Sequence, residues 1–222
     1  MYDDSSFSSI LIVKISSLGD IIHTFPVLYD LHRRFPHASI DWVVSEELQS
    51  VVASHPLVRR AISFKIDSLR AFFATIGRVR QDSYDLLFDF QGNCKSGLVT
   101  FFARSKHKVG FGLRTAREWP NTLATNHRFD ISRDCNIRLF NLQLVQRFLG
   151  NGQPFHDDRM ALKISELEKL LVAQILSSKE SGMRIMVCPG SKWPNKRVPL
   201  STLRDFLQRI AQELDASFFR LN

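Results

Sequence analysis

The sequence predicts an α/β protein built on a doubly wound parallel sheet, and two features carry that prediction. Short apolar runs of strand length alternate with segments whose apolar residues recur at helical spacing, which is βαβα order. The runs ILIVKI and LLFDF are nearly continuous in apolar residues, as expected for strands covered by helices on both faces.

The elements follow in order. Strands are expected at Ile10 to Ile15, Ile40 to Val44, Ala61 to Phe64, Asp85 to Phe90 and Lys108 to Phe111. Helices are expected between them at Ile21 to Phe35, Leu69 to Val79 and Gly97 to Ala103. Two more helices follow, Cys135 to Leu149, stopped by Gly150, Asn151 and Gly152, and Glu166 to Ser178. After the polar stretch SSKESG a second α/β unit opens with a strand at Arg184 to Cys188, the loop PGSKWPNKRVP, a helix from Ser201 to Leu214 and an apolar fragment from Ala216 to Leu221. The expected division is residues 1–180 as a first Rossmann-like domain and 181–222 as the start of a second.

Composition narrows the function classes. The chain has 222 residues, 44% of them hydrophobic, which excludes a disordered or low-complexity protein. Three cysteines without a CxxC pair give neither a disulfide framework nor a cysteine zinc site. The N-terminus MYDDSSFSS has no basic signal-peptide region, and no run of about 18 apolar residues is long enough to span a bilayer. Thirty Lys and Arg against 22 Asp and Glu give a net charge of +8, which suits a polyanionic partner: nucleic acid, an anionic membrane or a phosphorylated substrate.

Four strand-end loops carry chemistry. In IVKISSLGDIIHTFPVL the first strand runs into Ser16, Ser17, Leu18 and Gly19, and a helix starts near Asp20. Ligands of open α/β sheets bind at such a place. Asp20 there is either a base for an incoming hydroxyl or a helix cap, with Gly19 allowing a tight turn. In DFQGNCKSG a strand ends at Gln91 and Gly92, ahead of a helix with Lys95 and Ser96 in its first turn; the spacing is not that of a Walker loop. GFGLRTAREW places Arg114 and Arg117 after the fifth strand, and arginine forks suit carboxylate or phosphate. PGSKWPNKRVP sets Ser191, Lys192, Lys196 and Arg197 ahead of a helix N-terminus, where a diphosphate fits.

These strings, with DWVVSEE between the first two, resemble the lipopolysaccharide heptosyltransferases of glycosyltransferase family 9, most closely the heptosyltransferase I type. The resemblance runs in order from Ile10 through the whole chain. It implies a GT-B enzyme with two Rossmann-like domains, transferring heptose with inversion from ADP-L-glycero-β-D-manno-heptose to Kdo of Kdo-lipid A, on the inner face of the cytoplasmic membrane. No metal or other cofactor is implied. By resemblance Asp20 is the catalytic base, and Ser17, Gly19, Gln91, Lys95, Arg114 and Arg117 line the acceptor side. Lys196 and Ser191 correspond to the residues that hold the donor diphosphate.

Two positions depart from the family pattern, Val198 for a tryptophan and Asn136 for a histidine, and no D-[ST]-G-x-x-H motif follows. The expectation is therefore a C-terminally truncated heptosyltransferase, inactive alone or in need of a complementing C-terminal chain. The alternatives are an acceptor- or membrane-binding remnant and a basic nucleotide- or nucleic-acid-binding α/β protein; no nucleic-acid motif supports the last. The segment Ser68 to Arg80 is read either as a basic amphipathic helix for an anionic membrane, with Phe72, Phe73, Ile76 and Val79 on one face, or as a core-packing helix.

Overall fold

The computed structural model describes residues 7–150, 162–177, 182–190 and 197–220. The chain divides into two compact units, 1–163 and 164–222. The division expected near residue 180 puts the helix at 166–177 with the first unit, whereas here it falls with the second.

In the first unit, six strands form one parallel sheet: β1 Ser9–Val13, β2 Ser39–Ser45, β3 Arg60–Phe64, β4 Tyr84–Asp89, β5 Ser105–Phe111 and β6 His127–Phe129. Their order is β3-β2-β1-β4-β5-β6, the doubly wound arrangement whose order reverses between β1 and β4. The helices of this unit are α1 Leu18–Ile22, α2 Phe25–Arg34, α3 Gln49–Ala53, α4 Leu69–Val79, α5 Cys94–Phe102 and α6 Ile137–Leu149. The single helix expected over 21–35 is two, because Pro26 lies in the first turn of α2 and cannot continue a helix from α1. The strand β6 and the helix α3 were not expected; three and five residues are too few to show a period.

Successive strand residues point to opposite faces, and the core follows that alternation. Ile10, Ile12, Ile40, Trp42, Val44, Leu86 and Phe88 pack with Ile21, Leu28 and Leu31 of α1 and α2 and with Leu144 and Val145 of α6. On the other face, Leu11, Val13, Val43, Ile62 and Leu87 pack with Phe72, Ile76 and Val79 of α4 and Val99 of α5. This settles the two readings of 68–80. Phe72, Ile76 and Val79 are buried core residues, so the apolar face expected to meet a membrane meets the sheet; Leu69 and Phe73 remain exposed.

Polar groups brace both layers. Asp41 of β2 is fully buried and accepts hydrogen bonds from Arg59, Arg60 and the Tyr84 hydroxyl, tying β2, β3 and β4. Burial pushes its carboxyl up, but the bonds from Arg59 and Tyr84 and the charge of Arg60 outweigh that and hold it below the ordinary range. His55 is fully buried against Phe25 and Tyr29.

The second unit comprises α7 Glu166–Ser177, β7 Met183–Val187, α8 Leu200–Glu213 and β8 Ala216–Arg220. The fragment Ala216 to Leu221 is thus a strand as far as it is described, and it pairs in parallel with β7. Leu167, Leu170, Leu171, Met186, Leu200 and Phe206 are exposed, so these elements bury far less apolar surface than the first unit.

Burial lowers the pKa of His55 to about 4, and its Nδ1 accepts the Leu57 N–H, leaving the imidazole neutral in the fold. Below its unfolded pKa of about 6.5 the unfolded chain takes up a proton that the folded chain does not. Folding stability is therefore expected to fall between about pH 6.5 and pH 4 by on the order of 2 kcal/mol. Chemical denaturation across that window should show the slope, and His55→Leu should flatten it.

Candidate functional site

A cleft of about 270 Å³ opens at the carboxyl ends of β1 and β4, at the point where the sheet order reverses. Its wall contains Lys14, Asp20, Phe90, Gln91, Phe111, Thr115, Arg117, Arg133, Cys135, Ile137, Phe140 and Asn141. All belong to the first unit.

Asp20 reaches the cleft because α1 begins at Leu18, directly after β1, with Ser17 as its N-cap. One carboxyl oxygen, Oδ2, accepts from the Ser17 backbone N–H (3.2 Å) and hydroxyl (3.3 Å). The other, Oδ1, has no hydrogen-bond partner among the described residues. Capping does not take Asp20 out of the cleft: the bonds to Oδ2 fix the side chain, and the residue still lines the cleft wall. Gly19 has a different place from the one expected. It lies within α1, has no positive φ, and a Cβ there would meet nothing within 4 Å, so it makes no tight turn.

Gln91 is buried behind the cleft floor, and its Oε1 accepts the N–H groups of Ile15 (3.0 Å) and Ser16 (3.2 Å). It joins the end of β4 to the end of β1. Beneath it Asp89, fully buried, accepts the N–H groups of Gln91 and Gly92 on Oδ1 and bonds from Thr100 Oγ1 and Asn121 Nδ2 on Oδ2. Gly92 has φ +67°, and a Cβ there would come to 3.2 Å of Phe111 and 3.4 Å of the Arg117 nitrogen. Only glycine lets the loop 112–119 lie this close to the β4 turn, and the Glu118 N–H bonds the Gly92 carbonyl across that gap.

Asp130 holds the arginine loop by accepting from the Arg114 N–H and the Thr115 hydroxyl. Arg133 donates to the Thr115 carbonyl at 2.9 Å. The loop thus brings Arg117 into the cleft, while Arg114 is exposed and, like Lys95 in the first turn of α5, is not among the cleft's lining residues. Ser17 and Gly19 sit exposed at its edge, in the turn and helix that carry Asp20. Ser191 and Lys196, the expected diphosphate residues, lie outside the described residues. Asn136, where the family pattern has histidine, caps α6 by accepting the Arg138 N–H.

Reading the sequence missed Lys14. Its side chain is 5% exposed, and Nζ donates to the Phe90 carbonyl at 3.0 Å. Burial lowers its pKa, the Asp20 charge works against that, and the Arg117 charge adds to it. The signal was a lysine closing an otherwise apolar strand, where a buried ammonium is expensive unless it has work to do. Arg133 and Asn141 gave no signal, since each comes from a segment far along the chain. Among the described residues no group of three or more His, Cys, Asp or Glu side chains is placed to hold a metal ion.

The cleft therefore brings a carboxylate together with Lys14, Arg117 and Arg133, a set of groups with the chemistry to hold an anion and to take up a proton. Residues 72–214 match the family model of glycosyltransferase family 9 (heptosyltransferase). The chain belongs to glycosyltransferase family 9. It is similar to lipopolysaccharide heptosyltransferase 1 of Pseudomonas aeruginosa, 37% identical over 119 residues that make up 49% of this chain and 34% of the relative. The protein of that name from Escherichia coli K12 is 34% identical over 156 residues, 65% of this chain and 49% of the relative. The chain thus spans half or less of the length of these two relatives. Among solved structures, E. coli heptosyltransferase WaaC with ADP superposes with a TM-score of 0.78 at 27% identity, over 96% of this chain and 66% of that one. The fold of this family 9 chain is accordingly of the GT-B type, with a Rossmann-like first domain and part of a second.

At Lys14 stability and binding are expected to part company. Its lowered pKa means that the fold disfavours the ammonium, so stability should rise as pH climbs through the folded pKa toward about 10.4, the unfolded value. Lys14→Met is expected to leave thermal stability at pH 7 unchanged or higher, because a buried charge is replaced by an apolar chain. The same variant should bind sugar carboxylates at least tenfold more weakly in a calorimetric titration.

Proposed function

We propose that this chain provides the acceptor side of a lipopolysaccharide heptosyltransferase, which transfers heptose from ADP-heptose to Kdo of Kdo-lipid A with Asp20 as general base. The observation that carries the reading is the cleft itself: Asp20, whose Oδ1 has no hydrogen-bond partner among the described residues, lines it together with Lys14, Arg117 and Arg133. The cations neutralise the acceptor's carboxylate. Asp20, held by Ser17 through Oδ2, takes the hydroxyl proton on Oδ1 as the hydroxyl oxygen bonds to the anomeric carbon. The bond from that carbon to the diphosphate breaks on the opposite face, so configuration inverts and ADP leaves. Lys95 and Arg114, exposed beside the cleft, suit the outer phosphates of such an acceptor; Ser191 and Lys196 are proposed to hold the donor diphosphate. No metal is required in this scheme.

The described part of the second unit is a pair of parallel strands with exposed apolar helices, and donor alignment is proposed to need more of a GT-B domain than that. The 222-residue chain alone is expected to bind Kdo-lipid A without measurable transfer. Mixed with the C-terminal domain of the E. coli relative, it should transfer heptose, unaffected by EDTA, with Asp20→Asn slower by about 10²-fold or more. Robust turnover by the chain alone would overturn the donor part of this reading; equal rates for wild type and Asp20→Asn would overturn the base. Because the cleft is made entirely within the first unit, a non-catalytic acceptor-binding module is the second reading. It predicts unchanged acceptor affinity and no transfer under any complementation.

A lipid acceptor places the protein at the anionic inner surface of the cytoplasmic membrane, as a peripheral cytoplasmic protein. Among the described residues no helix is long and apolar enough to cross a membrane. The apolar side chains proposed to meet the surface are the exposed Leu69 and Phe73 of α4 and Leu98 and Phe101 of α5, near Arg70, Arg80 and Lys95. In flotation the chain should rise with anionic vesicles and not with neutral ones, and Phe73→Ser with Phe101→Ser should reduce that; equal flotation with both vesicle types counts against it.

A further inference from the structure

Arg117 makes no hydrogen bond or ion pair among the described residues, so its neighbours in the chain decide where its guanidinium stands in the cleft. On one side the loop is pinned through Asp130, which accepts the Arg114 N–H at 3.0 Å and the Thr115 hydroxyl at 3.2 Å. On the other side the very next residue, Glu118, is pinned twice. Its N–H donates to the Gly92 carbonyl at 3.0 Å, and its Oε2 accepts the Cys94 N–H at 2.8 Å. Cys94 is the first residue of α5, where an N–H has no partner within the helix. Hydrogen bonds from the Cys94 thiol and N–H, with the charges of Arg117 and Lys95, hold the Glu118 carboxyl below the ordinary carboxylate range. A carboxylate beside cations that serve an anion works against them through space. Its effect through the backbone has the opposite sign, because it fastens the chain that presents Arg117.

We infer that Glu118 is a positioning residue: it ties the chain on the far side of Arg117 to the β4 turn and to α5, and so holds the guanidinium where the carboxylate of the sugar acid binds. The inference rests on the acceptor reading given above. Glu118 acts through Arg117 and touches no reacting atom. Loss of its charge alone would strengthen carboxylate binding, whereas loss of its anchor weakens it, so the sign of the change separates the two.

The test is calorimetric titration of the full 222-residue chain with the methyl glycoside of Kdo. Glu118→Ala is expected to bind about tenfold more weakly than wild type, a coupling of the size found between residues in contact, and to cost nothing further in an Arg117→Ala background. Glu118→Gln keeps an oxygen for the Cys94 N–H and sheds the charge, so it should bind at least as tightly as wild type. Cys94→Pro breaks the same bond from the other partner, at a helix position that favours proline, and should match Glu118→Ala; Cys94→Ala should bind as wild type does. Equal or tighter binding by Glu118→Ala, with Arg117→Ala weakened, overturns the role of Glu118 and leaves the acceptor reading standing. An equal loss from Glu118→Ala with and without Arg117 overturns it too, because the residue then supports the cleft at large. If wild type binds no Kdo glycoside, both are overturned. Should Glu118→Ala melt below the assay temperature, Cys94→Pro decides in its place: wild-type affinity overturns the inference.

Discussion

The cleft depends on one buried side chain, Asp89 at the end of β4. Its two oxygens accept four hydrogen bonds, from the backbone of Gln91 and Gly92 and from Thr100 and Asn121. In a site closed to water each of those donors needs a partner. One carboxyl serving all four locks the β4 turn, α5 and the turn at 119–124 into a single body. Gln91, held by that turn, reaches across to the amides of Ile15 and Ser16, so the position of the Asp20 helix follows from Asp89 two steps away.

Upon that frame the protein places charge where its core disfavours it. Lys14 directly follows β1, a strand buried on both faces, and burial lowers its pKa. The first unit can bear this because the rest of its sheet is well provided: two apolar layers, and the bonds from Arg59, Arg60 and Tyr84 that fix Asp41 among β2, β3 and β4. Functional clefts are commonly where a fold gives up stability for chemistry.

The two units show the same building plan at different degrees of burial. In the first, helices on both faces of six strands leave the central strands fully covered. In the second, β7 and β8 pair in the same parallel sense, but Met186, Leu200 and Phe206 stay exposed. Parallel strands are stable when both faces are covered. The apolar groove between α8 and β8, lined by Val198, Leu200, Leu203, Leu207, Phe218 and Phe219, is the surface that such a covering would need.

The sequence by itself determined the layer architecture, because apolar runs of strand length and apolar residues at helical spacing are local properties: Ile10 to Val13 and Leu86 to Phe88 are continuous runs suited to strands covered on both faces, and Leu69 to Val79 carries the helical spacing. It also located the strand-end loops, and with them Asp20, Gln91 and Arg117, because a ligand site in such a sheet must lie where its strands end. The tertiary structure alone decided which of those loops share a cleft. Arg114 and Arg117 are three residues apart, yet only Arg117 lines it, since Asp130 and the close approach at Gly92 set how the loop turns. Only the fold could show that Phe72 and Ile76 face the sheet, that Gly19 makes no turn, and that Asn141 of α6 bonds Thr24, whose hydroxyl bonds the Asp20 carbonyl. Local pattern fixes which face of an element is apolar; which polar side chains meet depends on contacts between segments far apart in the chain, and no single window of sequence contains them.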